Sequence, residues 1–507
     1  MLSRRALTFL SLCLVTILIL VLTSARSRYE WSLDSARYNH LLPGSLSGGH
    51  TINAGTGNKN DVHVPQVTGD PACHHFPDTR NILLVMKTGA SESFQRVPTQ
   101  LMTVLRCLPD FLIFSDMNQT IAGHQIHDSL DTVLDDLRRE NEDFDLYRRQ
   151  QACLVDQAAC NKHVQAGIAE EGWNLDKYKN VHMAEKTYNL RPGYDWYLFV
   201  DADTYVLWPN LVQWLRRLDP ARKLYLGSVS MLDDYGFGHG GSGYVVSQAA
   251  LKEMVAPHPG IGNRFDKEAS QSCCGDYIFA RALENTTQTR VTQSLPSNEL
   301  QWPTINGEKP FTLPFQAKHW CQPIVTMHHM NSEEISSFWE YEWQRFANPA
   351  LSPSSPDHPP PPLRIRDIFH DFVKPRLTAI RRDWDNLSDD RFYLDQAAPP
   401  GAPGHGRAFE DWEVDRAKKK HLSPREKVAH ASWQKCRDAC DEEPKCFQYR
   451  WQNGLCGLSW SFKLGAPAAK GEEEAAAFTS GWNMRRIKRF LEEMDGCDEV
   501  SWPKVDD

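Results

Sequence analysis

The chain has 507 residues, too many for one ordinary domain, so two or three folded units joined by linkers are expected. Its 56 basic and 65 acidic residues leave a net charge of -9, and 41% of the chain is hydrophobic, a globular composition. That balance lacks the positive charge on which sequence-independent nucleic-acid binding depends, which argues against nucleic acid as a partner.

Residues 6–25 (ALTFLSLCLVTILILVLTSA) are uncharged, and a helix of about 20 residues spans the apolar core of a bilayer. Arg4 and Arg5 precede this run and Arg26 and Arg28 follow it, so orientation rests partly on the short N-terminus. The favoured topology is single-pass, with 1–5 cytosolic, 6–25 a signal anchor and the remainder lumenal. A cleaved signal peptide is the other reading, because Thr23 and Ala25 resemble a small-x-small cleavage site. The apolar run exceeds the usual h-region of roughly 7–15 residues, which favours the anchor. Either reading sends the chain into the secretory pathway. Of 13 cysteines, Cys13 lies in the apolar run and the other twelve lie beyond it, an even set suited to disulfides. Sequons at Asn118, Asn285 and Asn386 agree weakly with a lumenal location.

Residues 26–75 are rich in Gly, Ser, Asn and His without a sustained apolar period, as a flexible stem would be. Over 76–346 short apolar runs alternate with amphipathic stretches, the pattern of an α/β domain. Strands are expected at 82–86, 111–114, 196–200 and 224–228. After the third strand Leu207, Leu211, Trp214, Leu215 and Leu218 recur at helical spacing. Segment 347–420 opens proline-rich (NPALSPSSPDHPPPP), which marks a semi-rigid linker, and its remainder is polar and unassigned. A cysteine-rich unit spans 421–485, and 486–507 form a C-terminal tail.

Asp201, Ala202 and Asp203 stand directly after the third apolar run. Two carboxylates at i and i+2 beyond a strand end can reach one divalent cation bridging a diphosphate, and ligand sites in α/β sheets lie beyond the carboxyl ends of strands. Asp143/Asp145 and Asp383/Asp385 share the D-x-D spacing, but only Asp201/Asp203 follow a buried strand and precede a clear helix. The segment 236–247 (GFGHGGSGYVVS) holds five glycines in the eight positions 236–243. Gly240, Gly241, Ser242 and Gly243 either shape a sugar or acceptor pocket or form an ordinary turn before a helix N-capped by Ser247. In PIVTMHHM, residues 323–330, strand alternation sends His328 and His329 to opposite faces, so one of them readily faces a site.

The run YDWYLFVDADTYVLWPNLVQWL, followed by LYLGS and GGSGYVVSQAAL, resembles glycosyltransferase family 31, especially its core 1 β1,3-galactosyltransferase and Fringe-like members, over about 81–345. The resemblance implies a GT-A fold with a mixed sheet flanked by helices, a type II anchor in the Golgi, Mn²⁺ and a UDP-sugar donor. By position Asp201 and Asp203 match the family's metal motif, with Asp203 the direct ligand, and His328 matches its late metal-binding histidine. VMKTG, residues 85–89, matches the uridine-contacting segment, which makes Thr88 and Gly89, with Ala202 and Asp201, donor-binding candidates. Asp276 matches the aspartate proposed as base, although Gly275 replaces the first acid of the family's pair. A helix-cap role remains open to Asp276, with Asp266 and Glu268 as reserve bases.

The implied function is an inverting, metal-dependent β1,3-glycosyltransferase moving a sugar, galactose from UDP-galactose first, to a glycoprotein glycan. A catalytically inactive lumenal binding or chaperone-like protein of the same fold is the alternative, left open by Gly275. The segment ASWQKCRDACDEEPKCFQYRWQNGLCGLSW resembles a PAN or apple domain. Cys436, Cys440, Cys446 and Cys456 would form two bridges there, in a connectivity the sequence does not supply. Such a small α+β module binds protein or carbohydrate ligands, or serves as a spacer or a lid.

Overall fold

The computed structural model describes residues 70–153, 157, 168–292, 305–347, 361–395, 409–419, 421–452, 454–468, 478–494, 496–497, 500, 502–503 and 505. The candidate span 6–25, the stem before residue 70 and most of the proline-rich run lie outside them. Among the described residues no helix is long and apolar enough to cross a membrane.

Continuous apolar runs become central parallel strands because both faces of such strands are covered. β1 (Ile82–Lys87) is buried along its whole length. Its alternation divides Ile82, Leu84 and Met86 from Leu83 and Val85, and the two sets belong to the cores on opposite faces of the sheet. After β1 come α1 (Ser93–Met102), β2 (Phe111–Ser115), β3 (Gln119–Ile121), β4 (His124–Asp128) and the long α2 (Ile168–Leu190). β5 (Trp196–Asp201) leads through β6 (Tyr205–Val206) to α3 (Trp208–Leu215), whose apolar stripe includes the buried Leu211, Trp214 and Leu215. The helix stops short of Leu218, because Arg217 and Leu218 already close turns on Trp214 and Leu215.

β7 (Tyr225–Gly227), the hairpin β8 (Val229–Leu232) and β9 (Tyr235–Gly238), and β10 (Tyr244–Ser247) follow. Ser247 Oγ then accepts from Ala250 N at 3.3 Å and caps α4 (Gln248–Val255). The sheet order is β3-β4-β2-β1-β5-β10-β7. β4, β2, β1 and β5 run parallel, while β3 and β10 pair antiparallel with β4 and β5. The chain lays β2 on one side of β1 and β5 on the other, so the topological switch point falls between β1 and β5, where Lys87 is level with Asp201. α5 (Ile261–Ser270) and α6 (Gly275–Thr287) pack with α2 on one face. On the other, β11 (Thr326–Met327) pairs antiparallel with β6 and leads to α7 (Ser332–Ala347).

The boundary expected at residue 421 is displaced. A second sheet has the order β12-β18-β15-β16-β14, comprising β12 (Ile380–Arg382), β14 (Arg391–Leu394), β15 (Gln448–Gln452), β16 (Leu455–Ser459) and β18 (Thr479–Trp482). Strands from the unassigned 380–394 region therefore lie at both of its edges; two short strands, β13 (Trp384–Asp385) and β17 (Ala466–Pro467), pair beside it. α8 (Trp433–Glu442) packs on β15, with Cys436 bonded to Cys456 and Cys440 to Cys446. Nor is the C-terminus a free tail: α9 (Met484–Met494) buries Ile487 and Phe490 in the main core, and Cys497 is bonded to Cys321. Cys73–Cys107 and Cys273–Cys274 are further disulfides, the second between neighbours in sequence. Of the three sequons, Asn118 and Asn285 are exposed, but Asn386 is fully buried and donates to Tyr449 O and Gly481 O. A glycan there is incompatible with this packing.

Candidate functional site

The carboxyl ends of β1 and β5 supply the first groups. Ala202 N donates to Lys87 O at 2.8 Å, and Gln100 Nε2 of α1 donates to Ala202 O and Thr204 O at 2.9 and 3.0 Å. These bonds fix the backbone of the D-A-D turn. Thr88 is buried, with its N–H on Phe114 O, and Gly89 follows it at the entrance to the turn before α1.

Lys87 ends the apolar strand and is nearly enclosed. Its Nζ lies 2.5 Å from Asp176 of α2 and 3.3 Å from Asp201. Burial works against the ammonium, but these two carboxylates outweigh it and hold the pKa above the ordinary lysine value. Lys179, one helical turn past Asp176, donates to Thr88 O at 3.1 Å and lies 3.5 Å from Asp116. Sequence reading missed Lys87, Asp176 and Lys179. An apolar run ending in lysine is weak evidence by itself, and the partner Asp176 is 89 positions away.

Asp203 points elsewhere. Its Oδ1 lies 3.2 Å from His328 Nε2 and its Oδ2 3.4 Å from Arg96 of α1. Burial raises the carboxyl's pKa, but the contact with His328 and the charge of Arg96 bring it below the usual aspartate range. The pairing of β11 with β6 sets this geometry, since Met327 faces Tyr205 and Met330 N donates to Asp203 O at 3.0 Å.

The expected alternation of the two histidines does not hold. β11 ends at Met327, and His329 takes a left-handed backbone with φ 61°. The two rings consequently lie together, 3.9 Å between centroids. One ligand atom from each of Asp203, His328 and His329 lies within 4.8 Å of the others. Asp201 falls outside this cluster, held toward Lys87.

The glycine-rich turn closes over His328. A Cβ on Gly241 would stand 2.2 Å from His328 Cε1, so only glycine admits the ring there. Thr204 Oγ1 donates to Gly241 O at 2.6 Å and anchors the turn to the D-A-D loop. Gly240 N donates to Asp276 Oδ2 at 2.8 Å, Gly243 N to Gly240 O at 3.0 Å, and Ser242 Oγ lies 2.7 Å from His239 Nδ1.

Asp276 stands in the first turn of α6, after the flanking residue Cys274. Its second oxygen accepts from Tyr277 N at 2.9 Å. Burial raises its pKa, and hydrogen bonding from Gly240 together with the charge of Lys87 only partly opposes this. Gly275 has a steric explanation: a Cβ there would lie 2.7 Å from Asp176 O and 2.8 Å from Asn180 Oδ1 of α2. A first acid at this position would collide with that helix.

The reserve bases have partners of their own. Asp266 is buried against His182 at 2.7 Å and also accepts from Leu134 N and Asn263, while Glu268 lies 3.5 Å from Arg281.

The chain is similar to the family described as Fringe-like, whose model matches residues 139–299. The match contains Asp201, Asp203, the glycine-rich turn and Asp276, and stops before His328. This family suggests glycosyltransferase chemistry. The donor set of one carboxylate and two imidazoles fits a divalent cation, and the buried His328 Nδ1 has no hydrogen-bond partner among the described residues.

Proposed function

We propose that the protein is an inverting, divalent-metal-dependent glycosyltransferase that takes a sugar, galactose first among the candidates, from a UDP-sugar to a hydroxyl of a glycoprotein glycan. The observation that carries this reading is the clustering of Asp203, His328 and His329 beside the switch point of a mixed sheet, within and just beyond a Fringe-like match.

Asp203, His328 and His329 would hold Mn²⁺, with Asp201 at the edge of the set. When bound, the cation supplies positive charge to the diphosphate. Thr88, Gly89 and Ala202 would line the nucleotide's path along the ends of β1 and β5. In the transfer, the acceptor oxygen bonds to the anomeric carbon as that carbon's bond to the UDP oxygen breaks, and the acceptor proton passes to Asp276. A carboxylate whose pKa is raised by burial is a better base than an exposed one. Lys87 holds Asp201 and Asp176 in fixed positions and gives the ends of β1 and β5 one buried positive charge.

Type II topology with a lumenal catalytic domain in the Golgi accords with the paired cysteines and the exposed Asn118 and Asn285. The disulfide-bonded unit around Cys436, Cys440, Cys446 and Cys456 is proposed as the PAN or apple-like module.

The deciding experiment is a donor screen: full-length protein with Mn²⁺ is incubated with a series of UDP-sugars, and UDP release is measured with and without a chelator. Chelator-sensitive release from one donor supports the reading. Donor binding without release or transfer to any glycan would favour the inactive binding or chaperone-like alternative.

A further inference from the structure

Beyond His329 the site opens into a cavity of about 340 Å³. It lies between β8, the glycine-rich turn and segment 305–316, at the lower end of the size range of small-molecule sites. Ser230, His239, Asn306 and Glu308 offer hydrogen-bonding groups, and Leu313 and Ile365 form an apolar wall. Among the described lining residues there is no lysine or arginine, so a carboxylated or phosphorylated ligand finds no cation of that type. Sugar hydroxyls, with one C–H face, match the lining chemically.

Segment 305–316 has little regular structure of its own. Its first half is tied to β11 and α7, where Asn306 N donates to Thr326 Oγ1 at 3.1 Å and Lys309 pairs with Glu334 at 2.7 Å, and its second half is tied to the C-terminal module. Phe315 and Phe462 exchange both backbone hydrogen bonds, at 2.9 and 3.2 Å, and Gly465 N donates to Phe311 O at 2.7 Å. The Phe315 and Phe462 rings pack 5.7 Å apart, and Trp320 meets Phe490 of α9 at 5.2 Å. Cys321–Cys497 then links the chain just past this wall to the segment after α9, across 176 positions of sequence. The module's own disulfides stiffen the side that does the holding.

Resting on the reading of the Asp203 cluster as the donor end of the site, we infer that this cavity takes a neutral sugar ring as acceptor, and that the C-terminal module is part of the acceptor site because it pins the cavity's outer wall. The module then acts on acceptor binding without touching the donor. A wall without its own secondary structure keeps its shape only as far as neighbouring groups hold it.

The test uses full-length protein and two calorimetric titrations: UDP with Mn²⁺, and a panel of methyl glycosides of neutral hexoses with methyl glucuronide as the charged comparator. Binding of a neutral glycoside with methyl glucuronide excluded supports the assignment. Ser230→Trp, which fills the cavity, and the pair Cys321→Ser with Cys497→Ser, which frees the wall, should each weaken that glycoside by at least about tenfold. UDP affinity should stay within about twofold in both. If the disulfide variant fails to fold, Phe462→Leu reads the same tie. Failure of every neutral glycoside to bind, or unchanged affinity in the variants, overturns the inference. Glycoside binding that responds to these variants in a protein that never binds UDP would support the cavity and sink the donor reading instead.

Discussion

The imidazole of His328 occupies the space that a side chain on Gly241 would fill, with a Cβ there 2.2 Å from its Cε1. His328 is 6% exposed and faces Asp203, so the glycine lets a buried ring reach a carboxylate on another element. Gly241→Ala must push the ring away. We expect divalent-ion-dependent UDP affinity to fall about 10- to 100-fold, the usual cost of disturbing the support of a metal ligand. Overpacking should cost about 1–3 kcal/mol of stability. Calorimetry with Mn²⁺ and UDP, beside a denaturant titration, checks both; unchanged UDP affinity would disconnect the turn from the site.

The cluster geometry also ranks the two aspartates. Asp203 shares its surroundings with both histidines, whereas Asp201 is held by Lys87. Asp203→Asn should lower Mn²⁺-dependent UDP affinity by more than about 10², and it should also lower the unfolding midpoint at neutral pH, because Arg96 and His328 lose a charged partner. Asp201→Asn should cost less, and His329→Ala about tenfold. Titrating Mn²⁺ into the three variants orders them; equal losses at Asp201 and Asp203 would show that both ligate directly.

Glu342 of α7 gives a stability effect that acts through Tyr205 of β6. Burial of its carboxyl, partly offset by the hydrogen bond from Tyr205 Oη at 2.6 Å, raises its pKa from 4.5 to about 7. A raised folded-state pKa means that the native chain holds the proton more tightly than the unfolded one. The contribution is therefore most favourable below the unfolded value and is lost as pH climbs from 4.5 to about 7. Glu342→Gln retains an acceptor for Tyr205 and cannot ionise. It should match wild type near pH 4.5 and exceed it by roughly 1–3 kcal/mol at pH 8, measured by denaturant titration. Equal stability at both pH values would mean that Glu342 titrates normally.

How much was legible in the sequence depended on whether the signal was local. Ile82–Lys87 and Trp196–Asp201 were readable because central parallel strands need unbroken apolar runs, and Ser247 because a cap acts within three residues. The Asp201/Asp203 turn was readable from its place after such a strand. His329 was not, since its left-handed backbone overrides the alternation that a strand would impose. Asp176 met Lys87 only through folding, and Gly275 looked like a lost acid until α2 was seen to fill the space beside it. The strands at 380–382 and 391–394 were hidden because they are short edge strands with mixed polarity, completed by partners more than 60 residues later.

Asp276 is the most exposed assignment, because two roles converge on it. Its oxygens accept from Gly240 N and Tyr277 N, so it braces the glycine-rich turn against α6 whether or not it moves a proton. Asp276→Asn keeps one acceptor oxygen and turns an amide toward the other N–H, so some loss of stability, about 1–3 kcal/mol, is expected in either case. Kinetics separate the roles. As the base, Asp276 contributes about 10² to 10⁴ to turnover, so the variant should lose at least about 10² in kcat at saturating UDP-sugar, beyond whatever the lost bracing costs in UDP affinity. The acidic limb of the wild-type pH–rate profile should sit above the usual aspartate range, as burial of this carboxyl requires, and should vanish from the residual activity of the variant. As a brace alone, the variant would loosen Gly240 and Gly241 and release His328, weakening Mn²⁺-dependent UDP binding while the pH profile of the remaining turnover kept its shape. Asp266→Asn is the control: its carboxyl is committed to His182, so it should alter stability and leave that profile in place. Loss of UDP affinity in Asp276→Asn with an unchanged acidic limb would move the proton-accepting role to another carboxylate.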